Sequence, residues 1–178
     1  MPPDIARIVI DEAEITNRVA ELAGEISAYY GSRGPLLIGV LNGAVVFMAD
    51  LVRHMPIPLS FEFMAVSSYG DSTQSSGVVR ILKDLDSSIE GRDVLIVEDI
   101  VDSGLTLRYL VDLLQRRRPA EVRVVTLFRK DRPESQNAPV DWVGFEIPDA
   151  FVVGYGLDYA GRHRNLPYLA ELKHDECG

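Results

Sequence analysis

The chain has 178 residues, 47% of them hydrophobic and a single one cysteine, with a net charge of −9. That is the size of one ordinary domain with apolar side chains enough for a core. It excludes a disulfide scaffold or a cysteine zinc cluster, because Cys177 stands alone, and the acidic balance disfavours nucleic acid as a partner. No apolar run approaches the ~20 residues of a membrane helix. Met1-Pro2-Pro3-Asp4 has no basic region leading into an apolar stretch, so the expected setting is cytoplasmic, without a membrane partner.

In chain order, apolar strand-like runs alternate with helical ones, which predicts an α/β fold with a mostly parallel sheet. Ile15, Val19, Leu22, Ala23 and Ile26 repeat at helical spacing and predict a helix over Glu12–Tyr30, ended by Gly31 and Gly34. A buried strand follows at 36–40, then a helix over 44–54. Strands are predicted at 59–66 and 78–82, with a polar Gly/Ser-rich loop between them. Val94-Leu95-Ile96-Val97 reads as a short strand of the kind buried in parallel sheets. Leu107, Leu110, Val111 and Leu114 form the next helical stripe, and Arg116-Arg117-Arg118 close that helix, offset its C-terminal dipole and face solvent. Strands at 122–128 and 142–145 complete the pattern. The last thirty or so residues, rich in Gly, Pro and aromatics, predict a small cap on the sheet.

The segment with the most chemistry is Glu98-Asp99-Ile100-Val101-Asp102-Ser103-Gly104-Leu105-Thr106. A buried strand is expected to end in two acids, and a short hydroxylated turn then opens a helix. Ligands of open α/β sheets bind beyond the carboxyl ends of strands. Small residues at a helix start let backbone N–H groups face a phosphate, with the helix dipole adding to the attraction. Ser103 and Thr106 can add hydroxyl donors, and Gly104 permits close backbone approach. An acidic chain can therefore bind phosphate without a basic patch. Glu98 and Asp99 can accept from sugar hydroxyls or help hold Mg²⁺. Read alone, Asp102-Ser103 would be no more than a helix cap.

Residues 98–106 resemble the phosphoribosyl pyrophosphate signature of type I phosphoribosyltransferases. From Ile38 to Tyr168 the chain resembles, more narrowly, the hypoxanthine-guanine phosphoribosyltransferases. The resemblance implies a twisted, mostly parallel sheet flanked by helices. It implies a single domain, with a core at about 30–145 and a small hood built from the chain ends. The implied reaction transfers the 5-phosphoribosyl group from phosphoribosyl pyrophosphate to hypoxanthine or guanine, with Mg²⁺, giving IMP or GMP and pyrophosphate. Glu98 to Thr106 would then bind the phosphorylated ribose, and Asp102 would act near purine N7 as general base or proton partner. Leu41, Asn42 and Gly43 match the pyrophosphate loop, whose Leu41–Asn42 peptide would be cis, although many relatives have a basic residue where Asn42 stands. Arg164 matches an arginine near the pyrophosphate. Lys130 would donate to the 6-oxo group of the purine, which disfavours adenine. Phe151 would stack on the base and the Val152 backbone would read its edge. Ser68 and Tyr69 would belong to a lid that excludes water, and Asp158 would be a Mg²⁺ ligand beside Glu98 and Asp99. A homo-oligomer, dimer or tetramer, is implied as well.

Taken singly, most of these residues have plain readings: Lys130 as a surface lysine, Phe151 and Tyr155 as core aromatics, Asp158 as a turn residue. Two other functions compete. One is an enzyme of the same fold acting on adenine, a pyrimidine or xanthine alone. The other is a regulator that binds nucleotides and controls RNA or DNA, against which the charge of −9 weighs. A degenerate binding module is a third reading, although the acids and loop residues are intact. His54, His163 and His174 have no metal spacing, and neither a Walker pattern nor a nucleophile elbow is present.

Overall fold

A computed structural model describes residues 2–69 and 78–173, with the backbone alone at Ser68, Tyr69 and Val78. The elements are β1 (Ile5–Ile10), α1 (Glu12–Tyr30), β2 (Leu36–Leu41), α2 (Ala44–Arg53), β3 (Ser60–Tyr69), β4 (Val78–Lys83), β5 (Asp93–Val101), α3 (Leu105–Gln115), β6 (Glu121–Lys130), a single turn α4 (Pro133–Gln136), β7 (Trp142–Ile147), β8 (Val152–Val153) and β9 (Leu169–Leu172). Six strands form one sheet in the order β4-β3-β2-β5-β6-β7, parallel except where β4 runs antiparallel to β3. A second, antiparallel sheet of order β1-β9-β8 joins the two ends of the described chain.

Both faces of the larger sheet are covered, which is why the middle stretches of its central strands, such as Leu36–Ile38 and Val94–Val97, are continuously apolar. Leu37, Leu95, Val97, Val125 and Leu127 point toward the stripe of α1 and the buried side of α2. Leu36, Ile38, Val94, Ile96 and Val124 point the other way, toward Leu107, Leu110, Val111 and Leu114 of α3. The stripe expected on α1 is buried in full, and Tyr30 extends it. The start of α1 is fixed by a reciprocal cap: Glu14 N donates to Asp11 Oδ1 (2.8 Å) and Asp11 N to Glu14 Oε2 (3.0 Å). The smaller sheet leans on the α1 face, contributing Ile10, Val152 and Leu169 to the same core.

Some elements run past the bounds expected from the sequence, because a neighbour supplies what local pattern cannot. Strand β3 continues past Val66 to Tyr69, since β4 pairs with it as far as Tyr69↔Val78. The Ser68–Tyr69 lid expectation thus falls, by backbone, on a strand end, and the rest of that loop lies outside the described residues, as do His174 and Cys177. Strand β5 does not stop at Val97. It pairs with β6 through Ile100↔Phe128 and Val101↔Arg129, so Glu98 and Asp99 lie inside a strand rather than at its tip. In the basic run that closes α3, Arg116 and Arg118 face solvent as expected, Arg118 pairing with the exposed Glu90 (3.0 Å), whereas Arg117 is half-buried and forks onto Asp84 (2.7 Å to each oxygen).

Candidate active site

The carboxyl ends of β2, β5 and β6 converge on two cavities that adjoin at Ile100 and Asp102. The first, about 280 Å³, is lined by Glu98 and by residues 100–107, with Val40, Leu41 and Val66 opposite. The chain leaves β5, turns at Asp102-Ser103 and enters α3 through Gly104, whose φ of 76° suits glycine. A Cβ there would also come 2.8 Å from the Ala138 side chain. The first N–H groups of α3 have no partner within the helix and border this space. Arg108 steadies the turn by donating to Ser103 O (3.5 Å) and, across the gap to α4, to Glu134 O (3.1 Å).

Glu98 and Asp99 are adjacent carboxylates in a place short of water. Burial pushes the Glu98 carboxyl well above the usual carboxylate range, and the charge of Asp99 adds to this. Burial likewise pushes Asp99 up, to about 6, opposed by the hydrogen bond from Ile100 N (2.8 Å) and by the Arg164 guanidinium. Asp99 approaches the 41–43 turn so closely that a Cβ on Gly43 would lie 1.5 Å from its Oδ2. A Cβ on Gly156, itself at φ 97°, would lie 2.1 Å from Gly43 O. The Leu41–Asn42 peptide in this turn is cis.

The second cavity, about 190 Å³, is lined by Asp99, Asp102, Lys130, Phe151, Asp158 and Arg164, among others. Lys130 is the last residue of β6 rather than a residue after it, and its Nζ lies 3.2 Å from Asp102 Oδ2 and 3.7 Å from Asp149. Phe151 is exposed at 44%, with its ring edge-on to Tyr159 (5.5 Å, 86°), so a ring face is open to a planar ligand. Val152 is buried in β8. Across the cavity Arg164 donates to Gly156 O (2.7 Å) and pairs with Asp158 (2.7 Å), whose other oxygen accepts from Gly161 N (2.7 Å). Tyr155 is a core aromatic: its hydroxyl donates to Asp50 of α2 (2.6 Å), and burial, with that bond, pushes its phenol upward.

The residues expected from the sequence therefore line one bipartite hollow, apart from Asn42 and Gly43, which adjoin it through Leu41 and Asp99, and from the Ser68 and Tyr69 side chains, which are not described. Sequence reasoning missed Asp149, Arg108 and the part played by Arg132, which pairs with both Asp102 and Asp149. Their only sequence signal is charge near the motifs, which does not tell a site from a surface.

A helix start open to an anion, beside a cavity lined by an open aromatic face, Lys130 and Arg164, defines a class of α/β protein suited to a phosphorylated sugar and a flat heterocycle together. Comparison with known proteins narrows the class. The family described as phosphoribosyl transferase domain matches residues 10–160. A hypoxanthine-guanine phosphoribosyltransferase of Bacillus subtilis is 56% identical over 97% of this chain and 96% of its own length. One of Mycobacterium tuberculosis is 54% identical over 96% and 88%. Among solved structures, a hypoxanthine phosphoribosyltransferase of Staphylococcus aureus superposes with a TM-score of 0.94 at 42% identity, covering 98% of this chain and 95% of that one. That of Trypanosoma cruzi, in complex with its product IMP, gives 0.89 at 43%, covering 99% and 98%. The chain belongs to the phosphoribosyltransferase family, within its hypoxanthine-guanine branch.

Proposed function

We propose that this chain is a purine-salvage transferase that moves the 5-phosphoribosyl group from phosphoribosyl pyrophosphate to hypoxanthine, and to guanine, with release of pyrophosphate. The observation that carries this reading is the shared wall of the two cavities. Asp102 borders the cavity at the start of α3 on one side and the Lys130–Phe151 cavity on the other, so a sugar phosphate and a base would meet beside one carboxylate.

In this reading the 102–106 turn holds the 5′-phosphate, which fixes the sugar in line. Phe151 stacks on the base, the Val152 backbone reads its edge, and Lys130 donates to its 6-oxo group. As the bond from C1′ to pyrophosphate breaks, the sugar acquires oxocarbenium character. The Leu41-Asn42-Gly43 turn and Arg164 take up the charge of the leaving group, while Asp102 accepts or shares the proton at purine N7. Asp158, Glu98 and Asp99 offer the hard oxygen donors that Mg²⁺ takes. Mg²⁺ usually draws its remaining ligands from water and substrate phosphates. Bound there, Mg²⁺ would neutralise the pyrophosphate.

A single catalytic domain, with its core at about 30–145 and a hood from the chain ends, belongs to the same proposal. So do a lid around Ser68 and Tyr69, a cytoplasmic setting, assembly as a dimer or tetramer, and the absence of nucleic acid and membrane partners. Among the described residues no helix is long and apolar enough to cross a membrane.

The test is a base panel. Phosphoribosyl pyrophosphate, Mg²⁺ and one of hypoxanthine, guanine, xanthine, adenine or uracil are mixed with the protein, and nucleotide formation is followed. Turnover with hypoxanthine or guanine and none with adenine is expected. Silence with every base would discard the enzyme. Asp102→Asn should lower kcat far more than it raises KM for phosphoribosyl pyrophosphate, and near-normal turnover would remove Asp102 from the chemistry.

A further inference from the structure

The two oxygens of Asp102 have different partners. Arg132 reaches Oδ1 with one arm of its guanidinium and Asp149 with the other. Lys130 faces Oδ2 at 3.2 Å. Lys130 and Asp102 line the base-sized cavity, whereas Arg132 and Asp149 are not part of its lining. Arg132 thus grips Asp102 from outside the hollow in which a base would sit.

Building on the reading of Asp102 as the carboxylate facing the purine, we propose that Arg132 is its positioning residue: the guanidinium bridge to Asp102 and Asp149 fixes Oδ1, aims Oδ2 at the base and keeps that aim when Lys130 swings to the 6-oxo group.

Asp102 needs such a partner. It sits in a bend between β5 and α3, outside any helix or strand, with its side chain about half exposed. Lys130 cannot hold it alone. A lysine that turns toward a purine oxygen loosens its grip on the carboxylate, since an ammonium is a single compact centre. A guanidinium is a planar fork and spans two carboxylates at once. The fork is itself well placed. Arg132 N donates to Lys130 O (2.9 Å), and Arg132 caps α4, where Ser135 returns a backbone bond (3.2 Å) and a hydroxyl bond (2.8 Å) to Arg132 O. Asp149, between β7 and β8, anchors the far arm. Because Ser135 Oγ also donates to Lys130 O, the cation for the base and the cation for Asp102 are set by one small knot of backbone.

The experiment is a double-mutant cycle on the full chain with Mg²⁺. Unaltered protein, Arg132→Gln, Asp102→Asn and the double variant are compared by single-turnover formation of nucleotide from hypoxanthine and by the Kd for phosphoribosyl pyrophosphate. Arg132→Gln is expected to slow nucleotide formation about ten-fold while that Kd stays within about two-fold. In the Asp102→Asn background the same change should slow it by less than about two-fold, because the group it positions is already gone. Equal slowing in both backgrounds overturns the proposal. A Kd that rises in step with the loss of rate also overturns it, by marking a general disturbance of the site. An unaltered chain that makes no nucleotide from any 6-oxopurine overturns the reading of the site, and the proposal with it.

Discussion

Asp99 is raised toward neutrality by its surroundings, and this makes its contribution to stability depend on pH. Burial lifts its carboxyl to about 6, against about 3.9 for an unconstrained aspartate. Between roughly pH 4 and pH 6 the folded chain therefore holds the proton more tightly than the unfolded chain, so this group lowers stability as pH rises through that window. Above about 6 the full cost of a buried charge is present. Without divalent cations, the Tm advantage of Asp99→Asn over the unaltered chain should grow from pH 4 to pH 7. It should reach roughly 2–4 °C per kcal/mol for a chain of this size, and calorimetry across that range would show it. Adding Mg²⁺ should shrink the advantage, because a cation offsets the charge that Asn removes. A difference that stays flat with pH would mean that Asp99 carries no such strain. At this scale the sequence made the acids visible but not their burial, which depends on distant segments such as the 41–43 turn that packs against Asp99.

At the scale of elements, three chain segments touch through atoms that only glycine can bring together: the turn between β2 and α2, strand β5, and the stretch around Gly156. Gly43 has an ordinary helical φ of −60°, so any L residue suits its backbone, and the demand is purely one of space. Gly43→Ala should move Asp99 or the 41–43 turn, because the new Cβ would sit 1.5 Å from Asp99 Oδ2. We expect pyrophosphate binding, measured by calorimetric titration, to weaken about ten-fold or more. Gly24 is the control. It sits in α1, where an added methyl would meet nothing within 4 Å beyond the helix's own backbone, and Gly24→Ala should raise stability by about 0.5–1 kcal/mol with binding unchanged. The helices were legible because their apolar residues repeat at 3.6. The strand ends of β3 and β5 were not, since they are set by partners far along the chain, β4 and β6.

Over the whole molecule, the chain's beginning is tied to the loop that carries Arg164. Asp4, just before β1, meets His163 Nε2 at 2.7 Å across 159 residues of sequence, and its backbone accepts from Lys173 N (3.0 Å) beyond β9. His163 holds a φ of 76°, uncommon for a residue with a side chain, and the contact to Asp4 helps keep it there. Asp4→Asn should loosen residues 162–164, raising KM for phosphoribosyl pyrophosphate about three- to ten-fold with kcat within about two-fold. Steady-state kinetics separates the two constants, and a change confined to kcat would count against the tether. Local pattern determined much by itself: a parallel sheet of apolar strands, the stripes of α1 and α3, the turn that opens α3, and the set of residues that resemble a phosphoribosyltransferase site. These follow from periodicity, backbone freedom and short motifs, which act over a few neighbours. Tertiary structure alone decided that Glu98 and Asp99 lie inside a strand, that Arg132 and Asp149 flank Asp102, that Gly43 and Gly156 let three segments meet, and that Asp4 reaches His163. Those outcomes depend on which distant groups share water-poor space, and no local pattern encodes that.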